Sequence, residues 1–252
     1  STDECAQGVE WVNNGIEHDR ILVIAAHPDD IDFTIAGSVA LCARAGKTVG
    51  YCIATSGEKG FDEDLPEEER MRIREEEQRA AAAVVGVEEV HFLREPDGEL
   101  RNTPGLRRAI VAVIRRFKPD AVVVTGDPAS TKFENFHGSH PDHRALSEAA
   151  YDAVYPAVGN RFYFPDLLES GLDPHKIKEV LFSGSSKSDY YVDIGETFDL
   201  KMKVLRCHKS QVSGADDLEE RMRDWGRRIG EPEGMAIAES FRRMEHPDGT
   251  GK

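Results

Sequence analysis

Two tetrapeptides carry the residue types of hydrolytic chemistry, His27-Pro28-Asp29-Asp30 and His140-Pro141-Asp142-His143. Imidazole nitrogens and carboxylate oxygens are ligands for zinc and similar divalent ions, and both groups also carry protons in active sites. His27 and Asp30 stand at an H-x-x-D spacing. A tight turn begun at Pro28 brings both to one side and leaves Asp29 facing elsewhere. A surface turn with Asp as a helix N-cap accounts for one such tetrapeptide equally well. Placement in the fold has to decide.

Ile21 to Ala26 is a continuous apolar run that stops at the first tetrapeptide, the pattern of a strand buried on both faces of a parallel sheet. Asp32 to Ala45 has apolar residues at helical spacing and ends at Gly46, and Thr48 to Ala54 is a second buried strand. A charged helix over Pro66 to Val85 precedes a third strand, Glu89 to Leu93, and the turn Glu95-Pro-Asp-Gly-Glu99. The amphipathic helix Leu106 to Phe117 leads into a fourth strand, Asp120 to Thr125. Strands and helices in this alternation predict an α/β fold, a Rossmann-like, mostly parallel sheet with helices on both faces. In a doubly wound sheet the fourth strand returns to lie beside the first, so the loops after them face each other. Those loops hold the two tetrapeptides, roughly 110 positions apart. Their convergence argues for a His/His/carboxylate metal site with an open position, built from His27, Asp30 and one histidine of the second segment. A third His-Pro-Asp, at residues 246–248, has no strand before it and receives no role.

Gly126 to Ser139 reads as a long loop in which Phe133 and Phe136 serve as anchors or as a lid, and Pro141 opens the next helix. Residues 1–19 read as an irregular arm and 158–176 as irregular. Ile177 to Ser183 and Tyr190 to Ile194 read as strands, and helices are expected at about 196–208, 215–229 and 232–243 before a Gly-rich tail. The whole chain, 1–252, is expected to form one domain, with a core over 1–157 and a C-terminal part over 158–252 that completes the site.

The formal net charge of −15 disfavours nucleic acid and anionic membranes as partners and suits a small molecule. No run approaches the roughly 20 apolar residues of a membrane span, and the first residues lack a signal-peptide pattern, so a cytoplasmic location is expected. Cys5, Cys42, Cys52 and Cys207 form no C-x-x-C pair and read as small apolar residues in a reducing compartment. No G-x-G-x-x-G or P-loop follows the first strand, which disfavours nucleotide binding. Homo-oligomerisation stays open.

The strand ending Ala-His-Pro-Asp-Asp, with the later His-Pro-Asp-His at a helix start, resembles the PIG-L/LmbE family of zinc-dependent N-deacetylases. The likeness runs from about residue 20 to 212 and includes Thr55-Ser-Gly-Glu58, Val-Val-Thr-Gly-Asp-Pro at 123–128 and His208-Lys-Ser-Gln211. It implies one Zn2+ per chain, or another divalent metal, bound by His27, Asp30 and His143. It also implies Asp29 as general base, a cationic His140 at the oxyanion and Asp142 orienting a histidine. Glu58, Arg74 and His208 are candidates for substrate contact. For these three a loop acid, an exposed helix arginine and a helix-terminal dipole contact are the plainer readings. Two departures from the family pattern stand out: Ile31 and Asp32 follow Asp-Asp where Glu is usual, and Gly138 replaces a Tyr, so that any contact of that Tyr is absent or comes from another residue such as His137. The implied activity is removal of an acyl (acetyl) group from the amine of an N-acylated aminosugar or its conjugate. A metal-dependent amidase of a thiol/sugar conjugate and a non-catalytic sugar-binding module are the alternatives.

Overall fold

In the computed structural model, which describes residues 10–12, 15–130, 133, 136, 137 and 139–246, the chain begins with β1 (Glu10–Val12) and β2 (Arg20–Ala25). Along β2, Ile21, Val23 and Ala25 enter one apolar core and Leu22 and Ile24 enter another, so the uninterrupted apolar run reflects burial on both faces. There follow α1 (Asp30–Arg44), β3 (Thr48–Thr55), α2 (Glu67–Val84), β4 (Glu89–Glu95), α3 (Pro104–Phe117) and β5 (Ala121–Thr125). β5 pairs in parallel with β2, Ile24 opposite Val124, while β3 flanks β2 on its other side. This is the strand reversal that places the loops after β2 and β5 side by side. Pro141 opens α4 (Pro141–Asp152), which runs into a π-helical turn, Ala153–Ala157.

The second half extends the same sheet. After α5 (Pro165–Glu169), β6 (Glu179–Ser183) pairs in parallel with β5. β7 (Tyr190–Asp193), α6 (Phe198–Leu205), α7 (Lys209–Val212), α8 (Leu218–Gly230) and β8 (Ala238–Glu245) complete the described chain. The eight strands lie in the order β1-β7-β8-β6-β5-β2-β3-β4, and β8 is antiparallel to both of its neighbours.

Four readings from sequence change. The His-Pro-Asp at 246–248, read as having no strand before it, follows directly on β8, which ends at Glu245. Residues 232–243, expected as a helix, enter β8, because its charged side chains have buried partners instead of solvent: Glu239 meets Lys201 at 2.6 Å and Arg242 meets Asp127 at 2.7 Å. Paired charges on an interior strand erase the usual apolar signal. The arm expected to be irregular holds β1, which adds in parallel to β7, and the stretch 158–176 contains the short α5. Cys42 and Cys52 are buried free thiols and Cys207 is half-buried. Cys5, Gly138 and the tail after His246 lie outside the described residues. No helix among the described residues is long and apolar enough to cross a membrane.

Candidate metal centre

The turn between β2 and α1 is unusual at Asp29. This residue is the N-cap of α1, yet its backbone is left-handed (φ 88°, ψ −27°) and its side chain makes no cap hydrogen bond. A side chain in that region costs on the order of 1–2 kcal/mol, so neighbours must hold it there. Two contacts from α2 do so: the Asp29 N–H donates to Gln78 Oε1 at 2.8 Å, and Arg74 Nη2 donates to the Pro28 carbonyl at 2.6 Å. The Asp29 carboxylate is thereby kept out of capping, with Arg74 Nη2 3.4 Å away.

Ligand-type atoms of three residues converge beside it. His27 Nδ1 lies 3.2 Å from His143 Nε2 and 3.4 Å from Asp30 Oδ2, and His143 Nε2 lies 3.1 Å from Asp30 Oδ1. Ligand atoms about 2.0–2.1 Å from a tetrahedral zinc ion stand about 3.3 Å from one another, so these residues fit such an ion. The other nitrogen of His27, Nε2, lies 3.0 Å from Asp142 Oδ2 and 3.2 Å from Asp97 Oδ1. Donation to these carboxylates puts the proton on Nε2 and leaves the Nδ1 lone pair for a metal. Asp142 is itself fixed, accepting from the N–H groups of Gly98 (2.7 Å) and Leu100 (3.0 Å). Two looser groupings, His27/His140/His143 and His27/Asp97/Asp142, have their atoms within 4.8 Å. Their members are engaged elsewhere: His140 Nδ1 accepts the Asp142 N–H at 3.2 Å, and Asp97 accepts from the Lys59 N–H at 2.9 Å. His27, Asp30 and His143 are therefore the set best placed for an ion.

The electrostatics agree. Burial alone would lower the pKa of His27, but the carboxylates of Asp142, Asp30 and Asp97 overcome it and hold the ring up to about 12. Asp30 works the other way: burial favours its neutral form, yet His143 and His27 keep its carboxyl well below the ordinary carboxylate range. Such a centre favours positive charge, which a divalent ion held there would supply in place of protons. Burial raises Asp29 to about 6, with Asp30 adding to the shift and Arg74 opposing it. His140 is pushed down by burial and by its positive neighbours His27 and His143. Its Nδ1 accepts at the cap of α4, which leaves Nε2 as the ring nitrogen not engaged there.

A cavity of about 890 Å³ opens from Asp29, Asp30 and His143. It passes over the ends of β5 and β6, where Ser130, Ser183 and Ser185 line it, toward Met222, Trp225 and Ile229 of α8. Glu58, Arg74 and His208, the candidates for substrate contact, do not line it. Glu58 Oε1 accepts the Asp97 N–H at 2.8 Å, which pins the turn after β4. Arg74 is buried beneath Gly57, whose φ of +63° and missing Cβ admit the guanidinium; an added Cβ would sit 2.9 Å from Nη2. His208 is wholly buried, its Nε2 2.6 Å from Asp32 Oδ2. The nearby Gln211 does reach the cavity, as does His137. The exposed Phe133 ring lies 4.6 Å from the Arg144 guanidinium. Asp97 and Gln78 are not singled out from sequence, and Asp32 only as a departure from the family pattern. Asp97 had a signal, an acid in the turn after a strand neighbouring β3; Gln78 had none.

Comparison with known proteins adds the family. The profile described as PIG-L, GlcNAc-PI de-N-acetylase, matches residues 22–154. A diacetylchitobiose deacetylase of Thermococcus kodakarensis is 35% identical over 193 residues, covering 76% of this chain and 70% of that protein. A probable N-acetyl-alpha-D-glucosaminyl L-malate deacetylase 2 of Bacillus subtilis is 29% identical over 213 residues, covering 82% and 90%. Among solved structures, N,N'-diacetylchitobiose deacetylase from Pyrococcus horikoshii, complexed with its inhibitor MPG, superposes with a TM-score of 0.83 at 29% identity, covering 91% of this chain and 85% of that one.

Proposed function

The chain belongs to the PIG-L family, and from that premise we propose that it is a metal-dependent N-deacetylase, releasing acetate and a free amine from an N-acetylglucosaminyl conjugate. The observation that carries the reading is the convergence of His27 Nδ1, Asp30 and His143 Nε2 within 3.1–3.4 Å of one another, beside a carboxylate that is not spent on capping. A divalent ion held there, zinc by the donor set, supplies Lewis acidity that activates water and polarises the amide carbonyl near neutral pH.

The chain's own residues do the rest. Asp29 accepts a proton from water as its oxygen adds to the carbonyl carbon. The same proton then passes to the amine nitrogen as the C–N bond breaks. Burial, which raises Asp29 to about 6, suits both steps: the group is ionised at neutral pH yet basic enough to accept. His140 Nε2–H donates to the developing oxyanion. Asp142 and Asp97 hold His27 in the tautomer that the site requires.

The cavity points to what lies beyond the reacting sugar. Its volume, about 890 Å³, is near the top of the roughly 300–1,000 Å³ range of small-molecule sites. Its serine-rich side and its Met222–Trp225–Ile229 side suit a second ring with polar edges and apolar faces. The substrate is accordingly a disaccharide or glycoside of N-acetylglucosamine, as in the name of the Thermococcus relative. Metal-loaded protein is incubated with N-acetylglucosamine, diacetylchitobiose and N-acetylglucosaminyl malate, and free amine is followed. Amine released fastest from the disaccharide and abolished by chelation is expected. No release from any of the three would sink the assignment.

A further inference from the structure

Resting on the reading of Asp29 as proton carrier, we infer that Gln78 and Asp32 are positioning residues, a buried link from α2 to α1 that holds the left-handed backbone of Asp29 and so aims its carboxylate. Gln78 Oε1 accepts the Asp29 N–H at 2.8 Å, and Gln78 Nε2 donates to Asp32 Oδ2 at 2.8 Å. The same oxygen lies 2.6 Å from His208 Nε2, which ties the link to the start of α7. Gln78, Asp32 and His208 are all fully buried and none lines the cavity, so they act on substrate only through Asp29.

The chemistry of the link is specific. One end must accept from a backbone N–H and the other must donate to a carboxylate, and a side-chain amide does both at once. An apolar residue at 78 leaves the Asp29 N–H without its acceptor. Of the two α2 contacts that hold this turn, only Arg74 on the Pro28 carbonyl is then left to oppose relaxation of φ from 88° toward the ordinary helical value. The ligands on either side are held independently, His27 by Asp142 and Asp30 by the His27 N–H at 2.8 Å. Loss of the link therefore turns the base away and leaves the metal site standing.

The link also runs in reverse. In the double variant Gln78→Glu with Asp32→Asn, the carboxylate introduced on α2 offers one oxygen to the Asp29 N–H and the other to the side-chain amide introduced on α1. His208 accepts at Nε2 with its proton on Nδ1, which is buried and has no partner in the wild-type structure, a cost in stability that Tm reads.

Three proteins are compared with wild type for kcat, KM, bound metal, Tm and hydrogen exchange of the Asp29 amide. Gln78→Met is expected to lower kcat about tenfold to hundredfold, the scale of an ångström-sized misplacement, with KM within about twofold and metal content unchanged. Exchange of the Asp29 amide becomes fast in that variant, in metal-free protein as well. The double variant is expected to return kcat to within about threefold of wild type and to restore protection. The inference is overturned if Gln78→Met keeps kcat within about twofold, if its loss follows loss of metal, or if the folded, metal-loaded double variant stays as slow. Should Gln78→Met not fold, the double variant decides alone by the same threshold. Asp29→Asn completes the set. Full turnover there removes the base assignment, whereas an inactive, metal-loaded Asp29→Asn beside an unimpaired Gln78→Met leaves the base in place and removes only the link.

Discussion

The two His-Pro-Asp segments share their letters and divide the work. In the first, the histidine presents Nδ1 to the ligand cluster and the helix cap falls to Asp29, whose side chain does no capping. In the second, the leading histidine is itself the N-cap, its Nδ1 accepting from the Asp142 N–H, and the proposed ligand is the last residue, His143. The two middle acids differ most. Burial lifts Asp29 to about 6, with Asp30 adding to the shift and Arg74, His208 and His27 opposing it. Asp142 is also buried, but hydrogen bonds from His27, Gly98 and Leu100 outweigh that cost and depress its pKa. In the proposed reaction one carboxylate exchanges a proton and the other stays an acceptor. Residue type settles neither role; the number of N–H groups aimed at each does.

Substitution can break this contrast in graded steps. Asp29→Asn removes the proton carrier and should cost about 10²–10⁴-fold in kcat, with metal content unchanged by elemental analysis. Comparable loss of bound metal would mean that Asp29 and Asp142 are not divided as described. His140→Ser keeps a capping side chain for α4 and deletes only the imidazole donor, for an expected drop of about a hundredfold in kcat. Wild-type turnover would leave His140 with the cap alone. Asp142→Asn should act on binding instead of chemistry, weakening metal affinity about 10–100-fold, with turnover recovered at excess metal. A titration that shows unchanged affinity would deny Asp142 its part in orienting His27.

Much of this contrast was legible in the chain itself. The apolar runs of β2, β3 and β5 are pure enough to fix a parallel sheet, and the reversal between β5 and β2 follows from their order. That alone brought His27, Asp30, His140 and His143 together. What stayed hidden were long-range pairings of polar groups. Gln78 sits among the charges of α2 with nothing to mark it as buried, and Arg74 reads as a solvated helix residue until Gly57 opens a space for it. β8 was lost for a related reason: Glu239, Arg242 and Arg243 are the residues of an exposed surface unless Ser38, Lys201, Asp127 and Glu179 are known to face them.

The position of β8 also constrains the order in which the molecule is assembled. It follows every other described strand in sequence, yet it lies between β6 and β7 and is the strand that joins β7 and β1 to the rest of the sheet. During synthesis β7 has no sheet to dock on until Ala238–Glu245 arrives, and closing that gap is a late, long-range event of the kind that slows folding. Pulse-labelled hydrogen exchange during refolding should show amides of β7 gaining protection together with those of β8 and after those of β2, β3 and β5. Protection of β7 ahead of β8 would contradict this order.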